Sequence, residues 1–263
     1  MGLKKISLYV LFIFSFSSSN AQRIAIVGAM PEEIKLLTDT LKQKKIIKKD
    51  GLVYYKGKIH TQKVVILKSG IGKVNAAYST TKLISRFKVS KIIFTGVAGG
   101  VHPESYPGDM VVATSVFHHD YAKHLADQYI VRATTNLEGK LNPLYFKSDS
   151  LLLLLAKSVI SDISFEKINE HKPQVFFGKI ATGDVFLSNT EKAKWLYREF
   201  DAFATEMEGA ALGQIAFQNH IPFLVIRSCS DNANNQAHVD FNEFKKPAAD
   251  NAIRLVMGIL DKM

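Results

Sequence analysis

Residues 202–231, AFATEMEGAALGQIAFQNHIPFLVIRSCSD, alternate between the patterns of a strand, a helix and a second strand. The run from Ala202 to Thr205 predicts a short strand, Gly209 to Gln218 a helix, and Phe223 to Arg227 a buried strand. The small residues that open the helix allow its backbone to pack closely on a sheet. This segment therefore predicts a strand–helix–strand unit of an α/β protein.

The same alternation continues through most of the chain. Further strands are predicted at Arg23–Val27, Val53–Lys58, Lys63–Leu67, Ile92–Thr95, Asp109–Val116 and Phe176–Ala181. Helices are predicted from Pro31 to Leu41, from Lys73 to about Phe87, at Leu151–Ile160, at Glu191–Phe200, and from about Ala248 to Asp261. We therefore predict a three-layer α/β/α domain around a mixed, largely parallel central sheet, with one early hairpin around residues 59–62.

Length and composition indicate a single folded domain. The chain has 263 residues and 47% hydrophobic content, enough for a substantial core, and no repeat or linker divides it. The predicted folded domain spans residues 22–263.

Residues 1–21 have the pattern of a signal peptide. Lys4 and Lys5 precede the apolar stretch Ile6 to Phe16, and Ser19-Asn20-Ala21 supplies small residues for cleavage after Ala21. A helix of about 11 residues covers only about 16 Å, too little to span a hydrocarbon core of about 30 Å. We expect an exported protein, periplasmic or at the cell surface, without a membrane span after cleavage.

The chain is basic, with a formal net charge of +10, of which Lys4 and Lys5 contribute two. Much of the excess lies in one run: Lys42, Lys44, Lys45, Lys48 and Lys49. This run fits a solvated helix end and turn, or a patch for anionic polymers such as sulfated glycans. No aromatic residues are interleaved with the lysines to stack on bases, so nucleic acid is not an expected partner.

Three carboxylates follow predicted strands. Glu33 comes after the first strand, Glu208 opens a helix, and Asp231 follows the strand that ends at Arg227. Each has an ordinary structural explanation, as a helix first-turn acid or as an Asx-turn residue. Open α/β sheets place ligands at strand ends, however, and three acids at one edge of a sheet are typical of a catalytic site.

Two glycine-rich segments lack the spacing of phosphate-binding motifs. Gly70-Ile71-Gly72-Lys73 is interpreted as a tight strand-to-helix turn only. Gly96-Val97-Ala98-Gly99-Gly100 is a better site candidate, because its small residues leave an open backbone ledge for a flat ring or a sugar.

Metal and serine-hydrolase chemistry are not indicated. His118 and His119 would point to opposite faces of an extended strand, a poor geometry for chelation, and no cysteine assists them. The serines lack the GxSxG elbow. Cys229, the single cysteine, is interpreted as a packing residue.

Six motifs together resemble the 5'-methylthioadenosine/S-adenosylhomocysteine nucleosidases of the purine nucleoside phosphorylase superfamily. The resemblance covers nearly all of residues 22–263, in the family's order. The motifs are Gly28-Ala29-Met30-Pro31-Glu32-Glu33, Ser69-Gly70-Ile71-Gly72-Lys73, Thr95-Gly96-Val97-Ala98-Gly99-Gly100, Thr182-Gly183-Asp184, Glu206-Met207-Glu208-Gly209-Ala210 and Arg227-Ser228-Cys229-Ser230-Asp231.

The resemblance implies roles for the three carboxylates. Asp231 would protonate the purine N7, Glu33 would position and deprotonate the attacking water, and Glu208 would hold the ribose hydroxyls. The other implied site residues are Met207 under the sugar, Phe186 stacked on the base, Leu187 at the adenine edge, Ser230 orienting Asp231, Arg227 near the water, Ala98 and Gly99 on the ledge, and Phe241 and Ile71 in the 5' pocket. The resemblance also implies a homodimer that uses no cofactor and no metal.

The reaction itself requires these groups. Cleavage of a C1'–N9 bond leaves electrons on the purine and a cationic ribosyl ring, so an acid must protonate the base while an anion stabilises the sugar. An aspartate with an ordinary pKa of about 3.9 would be ionised at neutral pH, so burial or a neighbouring carboxylate such as Glu33 or Glu208 must raise it.

We therefore expect hydrolysis of 5'-methylthioadenosine, S-adenosylhomocysteine and 5'-deoxyadenosine to adenine. One alternative is an exported adhesin that binds sulfated glycans, and another is a purine nucleoside phosphorylase. Glu32 and Glu33 would repel a phosphate dianion, which favours water as the nucleophile. Two departures from the family pattern bear on activity: Val97 replaces an expected serine, and residues 123–137 differ from the usual apolar wall of the 5' pocket.

Overall fold

The computed structural model describes residues 22–263, so the predicted signal peptide lies outside the described residues. The strands of this part are β1 (Arg23–Gly28), β2 (Lys42–Lys49), β3 (Leu52–Ile59), β4 (Gln62–Lys68), β5 (Val89–Gly100), β6 (Met110–His118), β7 (Ala122–His124), β8 (Tyr129–Val131), β9 (Phe146–Lys147), β10 (Val175–Thr182), β11 (Ala202–Glu206) and β12 (Phe223–Asp231). The helices are α1 (Glu32–Asp39), α2 (Lys73–Arg86), α3 (Ser150–Val159), α4 (Thr190–Phe200), α5 (Gly209–Gln218) and α6 (Ala237–Lys262), with a short 3-10 turn at Ile160–Asp162.

A mixed sheet of ten strands forms the centre, in the order β11-β10-β6-β12-β5-β1-β4-β3-β2, with β9 beside β6. Strands β4, β1, β5 and β12 run parallel to one another, as do β6, β10 and β11. At the end of β5, Gly99 and Gly100 pair with Thr205 and Ala204 of β11, so the sheet curls back on itself. The predicted mixed α/β fold is confirmed.

Helices cover both faces of this sheet. Leu37 of α1, Leu152 of α3 and Val256 of α6 belong to one buried cluster, on one face of the sheet. Leu83 of α2 and Leu212 of α5 belong to the cluster on the other face. The strands between them are apolar on both sides, as expected for a sheet buried between two helical layers.

The lysine run does not form a helix end and turn, as one sequence interpretation had it. It forms β2, an edge strand of the sheet, in which Ile46 pairs with Tyr55 and Ile47 with Tyr54. Pairing with β3 overrides the weak helical pattern, and the charged side chains of an edge strand protect it from pairing with other chains.

Two other boundaries differ from the sequence prediction. The segment Gly96–Gly100 is the extended end of β5 rather than a loop. Helix α6 begins at Ala237, eleven residues earlier than predicted, and continues through Pro247. Proline removes one helical hydrogen bond, and the burial of Phe244 and Ala248 on either side of Pro247 offsets that loss.

Among residues 22–263, no helix combines the length and apolar character needed to cross a membrane.

Candidate active site

A cavity of about 350 Å³ opens where β1, β5, β11 and β12 end. Its position agrees with the expectation that ligands bind at the carboxyl ends of parallel strands. The walls are formed by Ala29, Met30, Glu33, Ile71, Val97, Ala98, Gly99, Val185, Phe186, Leu187, Thr205, Glu206, Met207, Glu208, Ser230, Asp231, His238, Phe241 and Asn242.

The three carboxylates singled out from the sequence share this cavity. Glu33 lies in the first turn of α1, Glu208 between β11 and α5, and Asp231 at the end of β12. All three are buried, with exposed fractions of 2%, 5% and 2%. Every other residue named by the resemblance also lines the cavity, except Arg227, which lies beneath the floor beside Glu206 and Glu208.

Asp231 is held by two hydrogen bonds. The Ala233 amide donates to its Oδ1 and the Ser230 hydroxyl to its Oδ2, each at 2.8 Å. Burial raises the pKa of Asp231 to about 6, although these bonds oppose the shift. Burial is thus the main cause, as one of the two sequence expectations had it, and the carboxylate that adds to the shift is Asp240 rather than Glu33 or Glu208.

The end of β5 must approach Asp231 closely. A Cβ atom at Gly99 would lie 2.8 Å from Asp231 Oδ1. Only glycine leaves room for the carboxylate at this point of the ledge, which is a physical reason for the small residues of the motif.

Glu33 accepts hydrogen bonds from three backbone amides. The amides of Ala29 and Met30 donate to Oε2 at 2.5 and 2.9 Å, and that of Val97 donates to Oε1 at 2.9 Å. Burial raises the pKa of Glu33, while Arg227 and these amides oppose the rise. The amides fix the carboxylate in one orientation, and a raised pKa makes it a better base.

Arg227 and Glu206 form an ion pair under the cavity. Arg227 Nη2 lies 2.6 Å from Glu206 Oε2 and 3.6 Å from Glu208 Oε2, and its side chain is 1% exposed. Its Nε and Nη1 have no hydrogen-bond partner among the described residues. A Cβ atom at Gly96 would lie 2.8 Å from Nη1 and 2.5 Å from Glu33 Oε1, so the guanidinium and Glu33 converge there.

Glu206 was not predicted as a site residue. Its carboxylate also accepts the amides of Glu208 and Gly209 at 3.1 and 2.7 Å and the hydroxyl of Thr182. It therefore caps the start of α5 and fixes the backbone that carries Glu208. Its position two residues before Glu208, in the same motif, was the signal available in the sequence.

The Gly70–Lys73 segment is more than a turn, and its purely structural interpretation is wrong. The Gly72 amide donates to Glu208 Oε1 at 2.8 Å, and Ile71 lines the cavity. Gly72 has φ +93°, a conformation that suits glycine. Burial, with Glu206 beside it, raises the pKa of Glu208.

The opposite side of the cavity is apolar and partly open. The ring of Phe186 meets that of Phe241 edge-on at 5.5 Å and is 44% exposed. Ile71 is 52% exposed at the mouth, whereas Leu187 is buried. His238 and Asn242 also line this side; both lie in the first part of α6, before the helix start predicted from the sequence.

The remaining candidates lie elsewhere. Neither His118 nor His119 lines the cavity, and Nε2 of His118 lies 3.2 Å from the Gln214 side-chain oxygen. Within residues 22–263, no three His, Cys, Asp or Glu side chains are grouped so as to hold a metal ion. Cys229 is buried in the core, where burial raises the pKa of its thiol, as its packing interpretation predicts.

Similarity to known proteins extends over nearly all of the described residues, 22–263. Residues 23–261 match the family described as the phosphorylase superfamily. The chain is 38% identical over 242 residues to a 5'-methylthioadenosine/S-adenosylhomocysteine nucleosidase of Bacillus thuringiensis (strain Al Hakam), covering 92% of this chain and 99% of that protein.

Solved structures are similar to the chain over the same residues. A 5'-methylthioadenosine/S-adenosylhomocysteine nucleosidase from Neisseria meningitidis, in complex with methylthio-immucillin-A, aligns with a TM-score of 0.79 and 32% identity over 92% of this chain and 100% of that one. A futalosine hydrolase of Helicobacter pylori strain 26695 aligns with a TM-score of 0.77 and 30% identity over 92% and 98% of the two chains.

Proposed function

The chain belongs to the phosphorylase superfamily, and from this membership and the cavity we infer that it is an N-glycosyl hydrolase. It hydrolyses the N-glycosidic bond of 5'-methylthioadenosine and S-adenosylhomocysteine and releases adenine, as its nucleosidase relatives are named for doing. The observation that carries this conclusion is Asp231, a buried carboxyl with a pKa raised to about 6, across one cavity from the carboxylate of Glu33. We extend the proposal to 5'-deoxyadenosine, which shares the adenine and the ribose hydroxyls.

At one end of the cavity we assign Asp231 as the general acid. Its raised pKa keeps part of the population protonated near neutral pH, so it can donate to N7 of the departing purine. The ring of Phe186 stacks on the face of the base, and the main chain of Leu187 binds the edge of the base. Ser230 keeps the carboxyl oriented through its 2.8 Å hydrogen bond.

At the other end we assign Glu33 as the base for water and Glu208 as the group that binds the ribose hydroxyls. Met207 forms the apolar surface under the sugar. The carboxylates also stabilise the positive charge that develops on the ribosyl ring. Arg227 limits their mutual repulsion from beneath the floor.

The proposed reaction balances through these groups. The C1'–N9 bond breaks with its electron pair moving to the purine, and Asp231 transfers its proton to N7. The water oxygen forms a bond to C1', and Glu33 accepts the proton that this water loses. Proton exchange with solvent returns both carboxyl groups to their starting states.

The cavity favours water over phosphate as the nucleophile. Its walls, as described above, contain three glutamates and no lysine or arginine. The guanidinium of Arg227 is already engaged by Glu206 at 2.6 Å. A phosphate dianion would meet uncompensated negative charge there, whereas a neutral water molecule would not.

Adenine release tests the proposed function. The chain is incubated with 5'-methylthioadenosine, S-adenosylhomocysteine or 5'-deoxyadenosine, with and without added phosphate, and the free base is quantified by chromatography. We expect adenine at a rate that phosphate does not change. A strict requirement for phosphate would identify a phosphorylase, and no adenine from any substrate would reject the proposal.

We also propose that two copies of the chain form a homodimer. Large apolar side chains are exposed on one side of α2 and on the segment after β6, including Val74 at 79%, Tyr121 at 43% and Ile130 at 42%. Patches of this kind mark protein interfaces. Light scattering after gel filtration should give twice the monomer mass, and a monomer at micromolar concentration would reject this proposal.

We propose export on the sequence of residues 1–21, which lie outside the described residues. The family match begins at residue 23, two positions after Ala21, the residue that precedes the proposed cleavage site. N-terminal sequencing of the protein expressed in its full length should begin at Gln22. An intact N-terminus on protein recovered from the cytoplasm would contradict export.

Glycan binding has no support beyond the basic charge and stays a prediction. The exposed lysines of β2 would have to carry it. Retention on heparin that weakens with salt, and weakens again on neutralising Lys44, Lys45, Lys48 and Lys49, would support glycan binding, whereas salt-independent retention would count against it.

A further inference from the structure

The start of α2 joins two parts of the cavity. Its first two free amides are those of Gly72 and Lys73, and each donates to a different carboxylate. The Gly72 amide binds Glu208 Oε1 at 2.8 Å, and the Lys73 amide binds Asp184 Oδ1 at 2.7 Å. Asp184 begins the segment 184–187, hereafter the base loop, which carries Phe186 and Leu187.

A second contact fixes the same loop. Lys73 Nζ lies 2.6 Å from Asp120 Oδ1, and Asp120 Oδ2 accepts the amide of Asp184 at 2.9 Å. The side chain of Asp184 is therefore bound by the backbone amide of Lys73. The backbone amide of Asp184 is bound by the carboxylate of Asp120, which also pairs with the side chain of Lys73. Both side chains of the ion pair are about four-fifths shielded, with exposed fractions of 22% and 21%.

The base loop needs such an anchor. Val185 and Phe186 are 49% and 44% exposed, so burial alone holds this part of the loop weakly. Backbone hydrogen bonds fix the chain on either side of the base loop. The Gly183 amide donates to the Glu206 carbonyl before it, and the Asn189 amide donates to the Ala233 carbonyl after it. Lys73 and Asp120 act between these points, directly before the residues that would contact the base.

We propose that the Lys73–Asp120 ion pair is a positioning element that orders the base loop for adenine, beside the Gly72 amide that binds the ribose carboxylate Glu208. Neither residue touches the substrate. The assignment rests on the proposed function in naming adenine as the ligand, while the ordering of the loop is a property of the free protein.

The variants for the test are Lys73→Met and Asp120→Asn, singly and together. Lys73→Arg keeps the positive charge and should retain most of the order of the base loop that Lys73→Met loses. Lys246→Met is the matched control, since its ammonium pairs with Asp250 at 2.8 Å on α6 but is 71% exposed. The control should behave like the unsubstituted chain in every measurement.

Amide hydrogen exchange in the ligand-free protein tests the positioning directly. In Lys73→Met and in Asp120→Asn, we expect peptides covering residues 183–189 to exchange about tenfold faster, while peptides of β1 and β12 keep their protection. The double variant should exchange no faster than either single variant, because both remove the same contact.

Kinetics with 5'-methylthioadenosine give the second readout. A loop that binds the base but takes no part in bond breaking should raise KM about five- to fiftyfold and leave kcat within about threefold. Unchanged exchange at 183–189 together with an unchanged KM would overturn the proposal. Loss of protection throughout the chain in both single variants would also overturn it, by assigning the pair to global stability. If the unsubstituted chain released no adenine, the proposed function would fail, and the exchange data would still decide whether the pair orders the loop.

Discussion

The two ends of the cavity use the same chemical group in different surroundings. At the base end, Asp231 meets two neutral donors, and the charged residue that acts on it is another carboxylate, Asp240. At the ribose end, Glu33 is surrounded by three amides and by Arg227. Burial raises the pKa of the carboxyl group at both ends and hydrogen-bond donors oppose the rise at both, but only the ribose end contains a cation that favours the ionised form. The proposed roles of acid and base therefore fall to carboxyl groups in different surroundings rather than to different chemical groups.

The largest expected effect comes from removing either carboxylate. Asp231→Asn removes the proton for N7 and Glu33→Gln removes the base for water, so each should lower kcat by about 10²–10⁴-fold. Steady-state adenine release measures the loss. Glu32→Gln is the matched control, because Glu32 lies beside Glu33 in the same helical turn but outside the cavity walls.

The pH profile tests the acid at the base end. In the unsubstituted chain, kcat/KM should fall as pH rises above about 6, where Asp231 loses its proton. The residual activity of Asp231→Asn should lack the alkaline limb. An alkaline limb that persists in this variant would show that another group is the acid.

The next effect is on stability and is confined to the ribose end. Arg227→Met leaves Glu33, Glu206 and Glu208 buried without their cation, so the free energy of unfolding should drop by about 3–5 kcal/mol. Urea unfolding at pH 7.5 measures this drop. A loss below about 1 kcal/mol would mean that the carboxylates are neutralised by protonation and that the contrast between the two ends is small.

At the base end, the substitution Asp231→Asn should raise the free energy of unfolding, whereas Arg227→Met lowers it. The folded pKa of Asp231, about 6, lies above its ordinary value of 3.8, so the folded state binds the proton more tightly. Stability is therefore lost as pH rises from about 3.8 to about 6, by about 3 kcal/mol. Asp231→Asn removes this cost and should stabilise the protein by about 2–3 kcal/mol at pH 7.5.

The structure accommodates that substitution. The Asn oxygen can accept the Ala233 amide and its NH₂ can donate to Ser230 Oγ, whose proton can turn to the Ala98 carbonyl at 3.4 Å. The gain in the free energy of unfolding should disappear below about pH 4, where Asp231 is protonated in both folded and unfolded chains. Equal stability of the two proteins at pH 7.5 would contradict the raised pKa.

The smallest effect concerns Val97, which borders the cavity and packs against Phe244 and Ala248 of α6. Val97→Ser supplies a hydroxyl near the Glu33 carboxylate, worth about 0.5–1.5 kcal/mol, and should raise kcat/KM about two- to tenfold. Val97→Ala loses the same packing without adding a hydroxyl and is the control. An equal change in both variants would show that the hydroxyl has no role.

The fold class and most of the secondary structure followed from the sequence because the periodic apolar patterns are strong. The strand at Phe223 and the helix at Gly209 illustrate this, since each lies in a buried layer that sets its pattern. Prediction was wrong where pairing or burial decided the conformation. Edge strand β2 was interpreted as a helix end and turn, and the predicted start of α6 at about Ala248 missed its first eleven residues, which end at Pro247.

The sequence by itself indicated which residues could act as acids and bases, and the parallel strands β1 and β12 place Glu33 and Asp231 at one edge of the sheet. Glu208 follows β11, which is antiparallel to β5, so only the curl of the sheet brings it to the same cavity. It also carried the six motifs that place the chain in its family. Only the tertiary structure decided the surroundings of each carboxyl group, since it brings Arg227 and three amides to Glu33 while Asp231 meets no cation. It also brought Gly72 and Lys73 to Glu208 and Asp184, more than a hundred positions away in the chain. Local patterns do not encode such distances, because burial and charge are set by the packing of elements remote in sequence.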